Sequence, residues 1–409
     1  MPSLSRRGRE LADSPPLPEY IAEHFARAGE PWHADENPDG YVGMCLAENK
    51  LLNARLAAQL AQYSSAATAL GYDAMTGNLE FRQQLARFMG RTFLGREFYP
   101  AELAVLAGAG SVLELLFHVI CDVGDAVLVP TPSYAGFWAD LETRDELRIV
   151  TVDCASDDDF RLTSDALDAA FARAERPVRA LLFTTPNNPL GRVYSREEIL
   201  EVVNWTRAKG IHLVVDEIYA LSVFGERAFV SAASLVPTLG DDIHIVWAFS
   251  KDFGASGLRC GVLVSENPSV LNAVGGLGYW AACSTHTQSL LNALITDEKV
   301  VDDYLAAMQR SLREAYNRVT RCLDAEGIAY VPAEAAFFLL IDLRNHLATP
   351  TWKAERVLWR QLLGQANVNL TPGEACRINE PGFFRLCYAG ESTAAVEAGI
   401  ARMGAILVA

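Results

Sequence analysis

No apolar stretch of this 409-residue chain approaches the roughly 20 residues that a membrane-crossing helix needs. Basic charge is also scarce, with 35 Lys and Arg against 51 Asp and Glu, a net charge of −16 and a pI of about 4.9. Sequence-independent binding to nucleic acid or to an anionic membrane requires a basic face, so neither is expected. A local basic pocket for one phosphate is compatible with these counts. The opening "MPSLSRRGRELADSPPLPEY" carries two adjacent arginines but no apolar core of a secretory signal, and a soluble, cytoplasmic protein is expected. The 8 cysteines include no C-x-x-C pair and the 7 histidines no H-E-x-x-H spacing. Reduced core thiols and no metal site follow as expectations. Internal repeats and low-complexity tracts are absent too.

What is present reads as a globular enzyme of two or three domains, half apolar and 21% charged. Residues 1–45 are rich in Pro, Gly and polar residues and read as an N-terminal arm. Over residues 46–285 short apolar runs alternate with helical patterns: "DAVLVPTPSY", "RALLFTTPNNPLG", "IHLVVDEIYA", "IHIVWAFSKDFG". That alternation predicts an α/β domain with a parallel sheet covered on both faces. From residue 286 a long helical pattern leads into strands around "AFFLLIDL" and "FFRLCYA", predicting a smaller α+β domain over 286–409.

In an open parallel sheet the ligand sits outside the carboxyl ends of the strands, so the residue after each apolar run matters most. After "IHIVWAF" comes Ser250-Lys251, then a Gly-rich loop and Arg259. A lysine there is desolvated unless it snorkels or is paired, and a lowered pKa suits a Schiff-base amine; a solvated strand end is the alternative. After "IHLVV" comes Asp216, with Tyr219 beyond it, either a ligand carboxylate or a helix cap. "TTPNNPLG" exposes Asn187 and Asn188, and "PTPSYAGF" presents Tyr134. "VLAGAGSVLELLF" places Gly108 and Gly110 ahead of an apolar helix, with Ser111 and Glu114 at capping-box spacing. A Gly-lined helix N-terminus is an anion site. Its G-x-G lacks the third glycine of a dinucleotide fingerprint, since position 113 is Leu. A lysine, a carboxylate, an Asn, two tyrosines and a phosphate cradle beside Arg259 match what pyridoxal 5'-phosphate requires.

With these residues in place, the chain resembles the fold-type-I aminotransferase superfamily, and within it the 1-aminocyclopropane-1-carboxylate synthases. The matching stretches include "ENPDGYVGMCLAENKL", "LVPTPSYAGF", "NNPLG", "IHLVVDEIYA", "FSKDFGASGLRCG", "STHTQ" and "PGFFRLCYA". The resemblance implies a large domain with a mainly parallel seven-stranded sheet. It also implies a homodimer, pyridoxal phosphate as cofactor and a small-molecule substrate. By position it makes Lys251 the Schiff-base lysine and the base for the substrate α-proton, and pairs Asp216 with the pyridine nitrogen. Asn188 and Tyr219 would hold the ring 3-oxygen, and Tyr134 would stack on the ring. Gly110, Ser111, Ser250 and Arg259 would bind the phosphate, Tyr72 the phosphate in a partner subunit. Arg385 would grip the substrate α-carboxylate and Glu48 would face the amino group and sulfonium. The implied chemistry is α-proton removal from S-adenosylmethionine and loss of methylthioadenosine from the γ-carbon.

Three positions depart from that pattern. Met75 stands where the synthases carry a tyrosine, Ala248 replaces a phosphate-binding serine, and "GGLGYWAAC" replaces a basic segment. The last change, with Tyr279 and Trp280, suggests room for a flat second substrate that captures the vinylglycine-type fragment in a γ-substitution or annulation; packing at a domain or subunit boundary is the alternative. An aminotransferase, a carbon–sulfur β-lyase and an amino-acid-sensing regulatory domain are the competing readings.

Overall fold

Seven short strands, nearly all apolar, build the central sheet of the computed structural model, which describes residues 3–64 and 67–408. They are β1 (Leu103–Leu106), β2 (Ala126–Thr131), β3 (Arg148–Asp153), β4 (Val178–Thr184), β5 (His212–Asp216), β6 (Ile243–Ala248) and β7 (Gly261–Ser265). Their spatial order is β1-β7-β6-β5-β4-β2-β3. Alternate residues divide between two cores. Val105, Leu128, Leu181, Leu213 and Ile245 join one, while Ala104, Leu106, Val127, Val129, Leu182, Val214 and Val246 join the other. A sheet covered on both faces therefore reads as continuous apolar runs rather than as alternation.

The strands from β2 to β6 pair in parallel, whereas β7 runs antiparallel to both β1 and β6. That reversal matters for the site. Antiparallel neighbours are joined at one edge, so the Phe249–Cys260 connection stays at the carboxyl end of β6. Leu106, at the end of β1, lies in register with Gly261 at the start of β7. The helix α1 (Ala109–Ile120) starts there too. The connection, the end of β1 and the start of α1 thus converge at one place.

The apolar runs of β2, β4, β5 and β6 fall where the sequence put strands. Strands β1, β3 and β7 have no such reading in the sequence, and β3, an edge strand, is only partly buried. The expected capping box of α1 does not form. Its N-cap is Gly108, with no side-chain cap; Ser111 Oγ bonds the Ala107 carbonyl at 3.3 Å, and Glu114 pairs with Arg144 at 2.6 Å. The φ of +94° at Gly108 starts the helix three residues earlier than the spacing suggested, placing Gly110 inside the first turn.

The C-terminal helical pattern is two helices, Thr285–Thr296 and α2 (Glu298–Ala325), broken at Asp297, whose side chain caps the second. Beyond them a four-stranded antiparallel sheet is formed by β8 (Ala329–Val331), β9 (Phe338–Asp342), β10 (Thr371–Pro372) and β11 (Phe383–Cys387), in the order β10-β11-β9-β8. Val42–Gly43 pairs in parallel with Val368–Asn369, and the Met44 carbonyl accepts from the Cys387 amide at 2.8 Å. These bonds bring residues 45–48 beside β11 and over the Lys251 turn. All 8 cysteines are free thiols. Among the described residues no helix is long and apolar enough to cross a membrane, and no cluster of His, Cys, Asp and Glu could hold a metal.

Candidate active site

A cavity of about 260 Å³ opens at the carboxyl ends of β4, β5 and β6. Lys251, Asp216, Tyr134, Asn188, Tyr219, Ser250, Gly110 and Arg259 all line it. Lys251 is presented by a single helical turn, Phe249–Asp252, that follows β6 directly. Its Nζ donates to the Ala47 carbonyl at 2.6 Å. Burial, reinforced by the Arg385 guanidinium, lowers its pKa to about 8. A sizeable neutral fraction is therefore present near neutral pH.

Asp216 ends β5 as a buried carboxylate that accepts from the Ile218 amide at 3.2 Å. Burial raises its pKa to about 7, against the opposing pull of that amide and of Lys251. Asn188 Nδ2 donates to Tyr219 Oη at 3.1 Å, and Asn188 Oδ1 accepts from Arg385 Nη1 at 3.0 Å. Arg385 is only 2% exposed. Its Nη2 donates to the Cys45 carbonyl at 2.6 Å and to Thr371 Oγ1 at 3.0 Å. Its Nε is buried with no hydrogen-bond partner among the described residues. A buried guanidinium with a spare donor behind Asn188 is suited to a carboxylate.

The phosphate end is shaped by absent side chains. A Cβ on Gly108 would lie 2.5 Å from Arg259 Nη2, and one on Gly261 would lie 2.4 Å from the Gly108 carbonyl carbon. Only glycine permits this approach. Arg259 has φ +50° and donates to the Ser256 and Ala107 carbonyls at 3.1 and 3.3 Å. Its guanidinium thus sits at the first turn of α1, where free amides already favour an anion.

Glu48 is beside the cavity rather than on its wall. It accepts from Ser256 Oγ at 3.2 Å and pairs with Lys50 at 3.1 Å. Ser111 does not line the cavity, because its hydroxyl is turned back to Ala107. Tyr72 is 96% exposed, and Tyr279 and Trp280 are 66% and 76% exposed. None of the three touches the cavity of its own chain. Tyr279 and Trp280, expected to bind substrate, lie outside the cavity of their own chain and form an edge-to-face pair, with ring centroids 5.5 Å apart, on the surface. A Cβ on Gly278 would come 3.2 Å from the Met75 carbonyl oxygen. Two of the unusual positions, Met75 and the glycine-rich segment, are therefore in contact.

Sequence reasoning missed Thr184, Asp140, Leu113, Phe137, Ile218 and Ser256 on the wall. Thr184 could have been found, since it is the last residue of β4. Its buried hydroxyl has no partner among the described residues. Asp140 lies within the helix Phe137–Glu142, with no local signal.

The residues fit pyridoxal phosphate: a depressed-pKa lysine, a carboxylate at the far end, the Asn188–Tyr219 pair, a free hydroxyl on Thr184, and an anion cradle closed by Arg259. A model of the aminotransferase class I and II family matches residues 42–403. The 1-aminocyclopropane-1-carboxylate synthase 6 of Arabidopsis thaliana is 36% identical over 392 residues, covering 91% of this chain and 79% of that protein. The 1-aminocyclopropane-1-carboxylate synthase CMW33 of Cucurbita maxima is 34% identical over 403 residues, covering 94% and 82%. Among solved structures, aspartate aminotransferase from Thermus thermophilus with maleate has a TM-score of 0.81 at 22% identity, over 99% of this chain and 100% of that one, a likeness of fold. The chain belongs to the aminotransferase class I and II family of pyridoxal-phosphate enzymes, close to the 1-aminocyclopropane-1-carboxylate synthases.

Proposed function

We propose that this enzyme acts on S-adenosylmethionine, removing the α-proton and eliminating methylthioadenosine from the γ-carbon. The identity to 1-aminocyclopropane-1-carboxylate synthases over more than nine tenths of the chain carries the reading. Glu48 beside the cavity supports it, since a carboxylate is the right sign to face a sulfonium.

When bound, pyridoxal phosphate supplies an electron sink for the charge that develops at the carbon bearing the amino group. The chain's own residues do the rest. Arg385 holds the substrate carboxylate, and Asn188, bonded to both Arg385 and Tyr219, keeps the carboxylate end and the ring end in register. Lys251 Nζ, which loses its proton as pH rises through about 8, receives the α-proton. Asp216 keeps a negative charge at the end of β5, where a cation in the cavity would return its pKa toward the ordinary carboxylate range. Arg259 and the first turn of α1 fix the phosphate. The three-part division at residues 45 and 285 belongs to the same proposal.

The fate of the γ-carbon is a finer proposal. Tyr279 and Trp280 lie outside the cavity of their own chain, so in this reading they meet substrate from a second chain. In a homodimer, with Tyr72 reaching the partner's phosphate, this aromatic pair would cover the partner's cavity and hold a flat second substrate. That substrate would capture the vinylglycine-type fragment before it closes to a cyclopropane. Chromatographic release of methylthioadenosine from S-adenosylmethionine tests the main reading. Trp280→Ala tests the finer one: release should persist while the added second substrate is no longer incorporated, and equal loss of both would count against it.

A further inference from the structure

The mechanism above does not use Asp252, the residue after Lys251. It is fully buried, and its carboxylate is the hub of three bonds. Oδ2 accepts from Trp247 Nε1 at 2.8 Å and from the Leu221 amide at 3.1 Å, while Oδ1 accepts from Ser222 Oγ at 2.6 Å. These donors come from two separate places. Trp247 belongs to β6, which leads into Lys251. Leu221 and Ser222 end the turn that begins at Asp216 and carries Tyr219.

The same turns are tied to the C-terminal part of the chain. Tyr304 and Gln309 of α2 donate to the Phe253 and Leu221 carbonyls at 2.7 and 3.1 Å. The Ala336 amide donates to the Ser222 carbonyl at 2.9 Å. Asp252 therefore sits where the Lys251 turn, the Asp216–Tyr219 turn and the C-terminal segment meet.

We propose that Asp252 is a positioning residue for Lys251, whose carboxylate clasps the lysine turn to the turn bearing Asp216 and Tyr219. A buried carboxylate with three donors and no cation in contact is costly to keep unless the geometry it fixes is needed. A purely structural group could have been an apolar side chain. With the clasp cut, the Lys251 turn drifts from the Ala47 carbonyl and water enters. Arg385, Cys387, Glu48 and Asp216 are the groups that face the lysine amine, and none of them changes in the variant. Loss of the Asp252 charge would by itself lower the lysine's pKa, so a rise reports a change of position.

The test is the pH dependence of Lys251 labelling by an amine-acylating reagent in the cofactor-free protein, read by peptide mass spectrometry for wild type and Asp252→Asn. The visible-absorption titration of the cofactor-loaded proteins is recorded in parallel. The expected result is that the Lys251 midpoint, about 8 in the wild type, rises by about one pH unit, a tenfold change in protonation equilibrium. The visible band should lose its wild-type pH profile. Ser222→Ala and Trp247→Phe each remove one donor and keep the carboxylate, so they give the answer if Asp252→Asn fails to fold; either should move the midpoint in the same direction by less. Wild-type midpoints in every variant that folds would overturn the proposal.

Discussion

Lys251 and Asp216 carry most of the chemical argument, and both are abnormal for one reason: each charge is taken out of water at a strand end. Removing the amine, Lys251→Ala, should lower methylthioadenosine release by at least about 10³-fold, the loss expected when a positioned base disappears; steady-state product assays check this. Arg385 makes a different claim. Arg385→Lys keeps the charge but loses the planar fork, so KM should rise by about 10- to 100-fold with kcat less affected.

Burial also raises the pKa of Glu217, to about 8, beside Asp216 and Asp252 at about 7 each. A carboxyl with a raised folded-state pKa binds more protons folded than unfolded between pH 4.5 and its own pKa. Its contribution to stability is therefore full at low pH and lost as pH rises through that window. Glu217→Gln, which cannot ionise, should lose part of this slope: the melting temperature of the cofactor-free variant relative to wild type should rise from pH 5 to pH 8. Calorimetry at the two pH values decides it.

At the scale of elements, the site exists because β7 turns back antiparallel beside β6. That reversal sets Arg259 against the first turn of α1 and leaves space only for glycine at positions 108 and 261. Gly108→Ala puts a methyl group against the Arg259 guanidinium and strains a φ of +94°. The dissociation constant of the cofactor should rise by about tenfold or more, roughly 1.4 kcal/mol, as read by fluorescence titration with pyridoxal phosphate. Elements also show what a sequence discloses. Strands β4, β5 and β6 were legible because each is a continuous apolar run that stops at a polar residue, which is also why Asp216 and Lys251 could be picked out. The start of α1 was misread, since the Ser111–Glu114 spacing imitates a cap while the backbone conformation that starts the helix lies in Gly108. Edge strand β3, half exposed and opening on an arginine, gave no comparable signal.

At the scale of the whole molecule the limits are those of distance along the chain. Arg385 is 340 residues from the Cys45 carbonyl it bonds and 197 from Asn188, and no local pattern records such pairings. The resemblance to a family supplied Arg385, and with it the seven-stranded sheet, where periodicity gave only four of the strands. The exposure of Tyr72, Tyr279 and Trp280 bears on the homodimer proposal. Sedimentation should find two chains of 44.7 kDa each associated. Mixing inactive Lys251→Ala with Tyr72→Ala should restore activity through dimers that hold one intact site.

The central claim is the elimination from S-adenosylmethionine, and its most direct measurement is one incubation of the cofactor-loaded enzyme with S-adenosylmethionine in deuterated water, followed by mass spectrometry. The account predicts methylthioadenosine in the products together with deuterium at the α-carbon of recovered substrate. Transfer of the substrate amino group to the cofactor, leaving its pyridoxamine form with no methylthioadenosine, would contradict it and make the enzyme an aminotransferase.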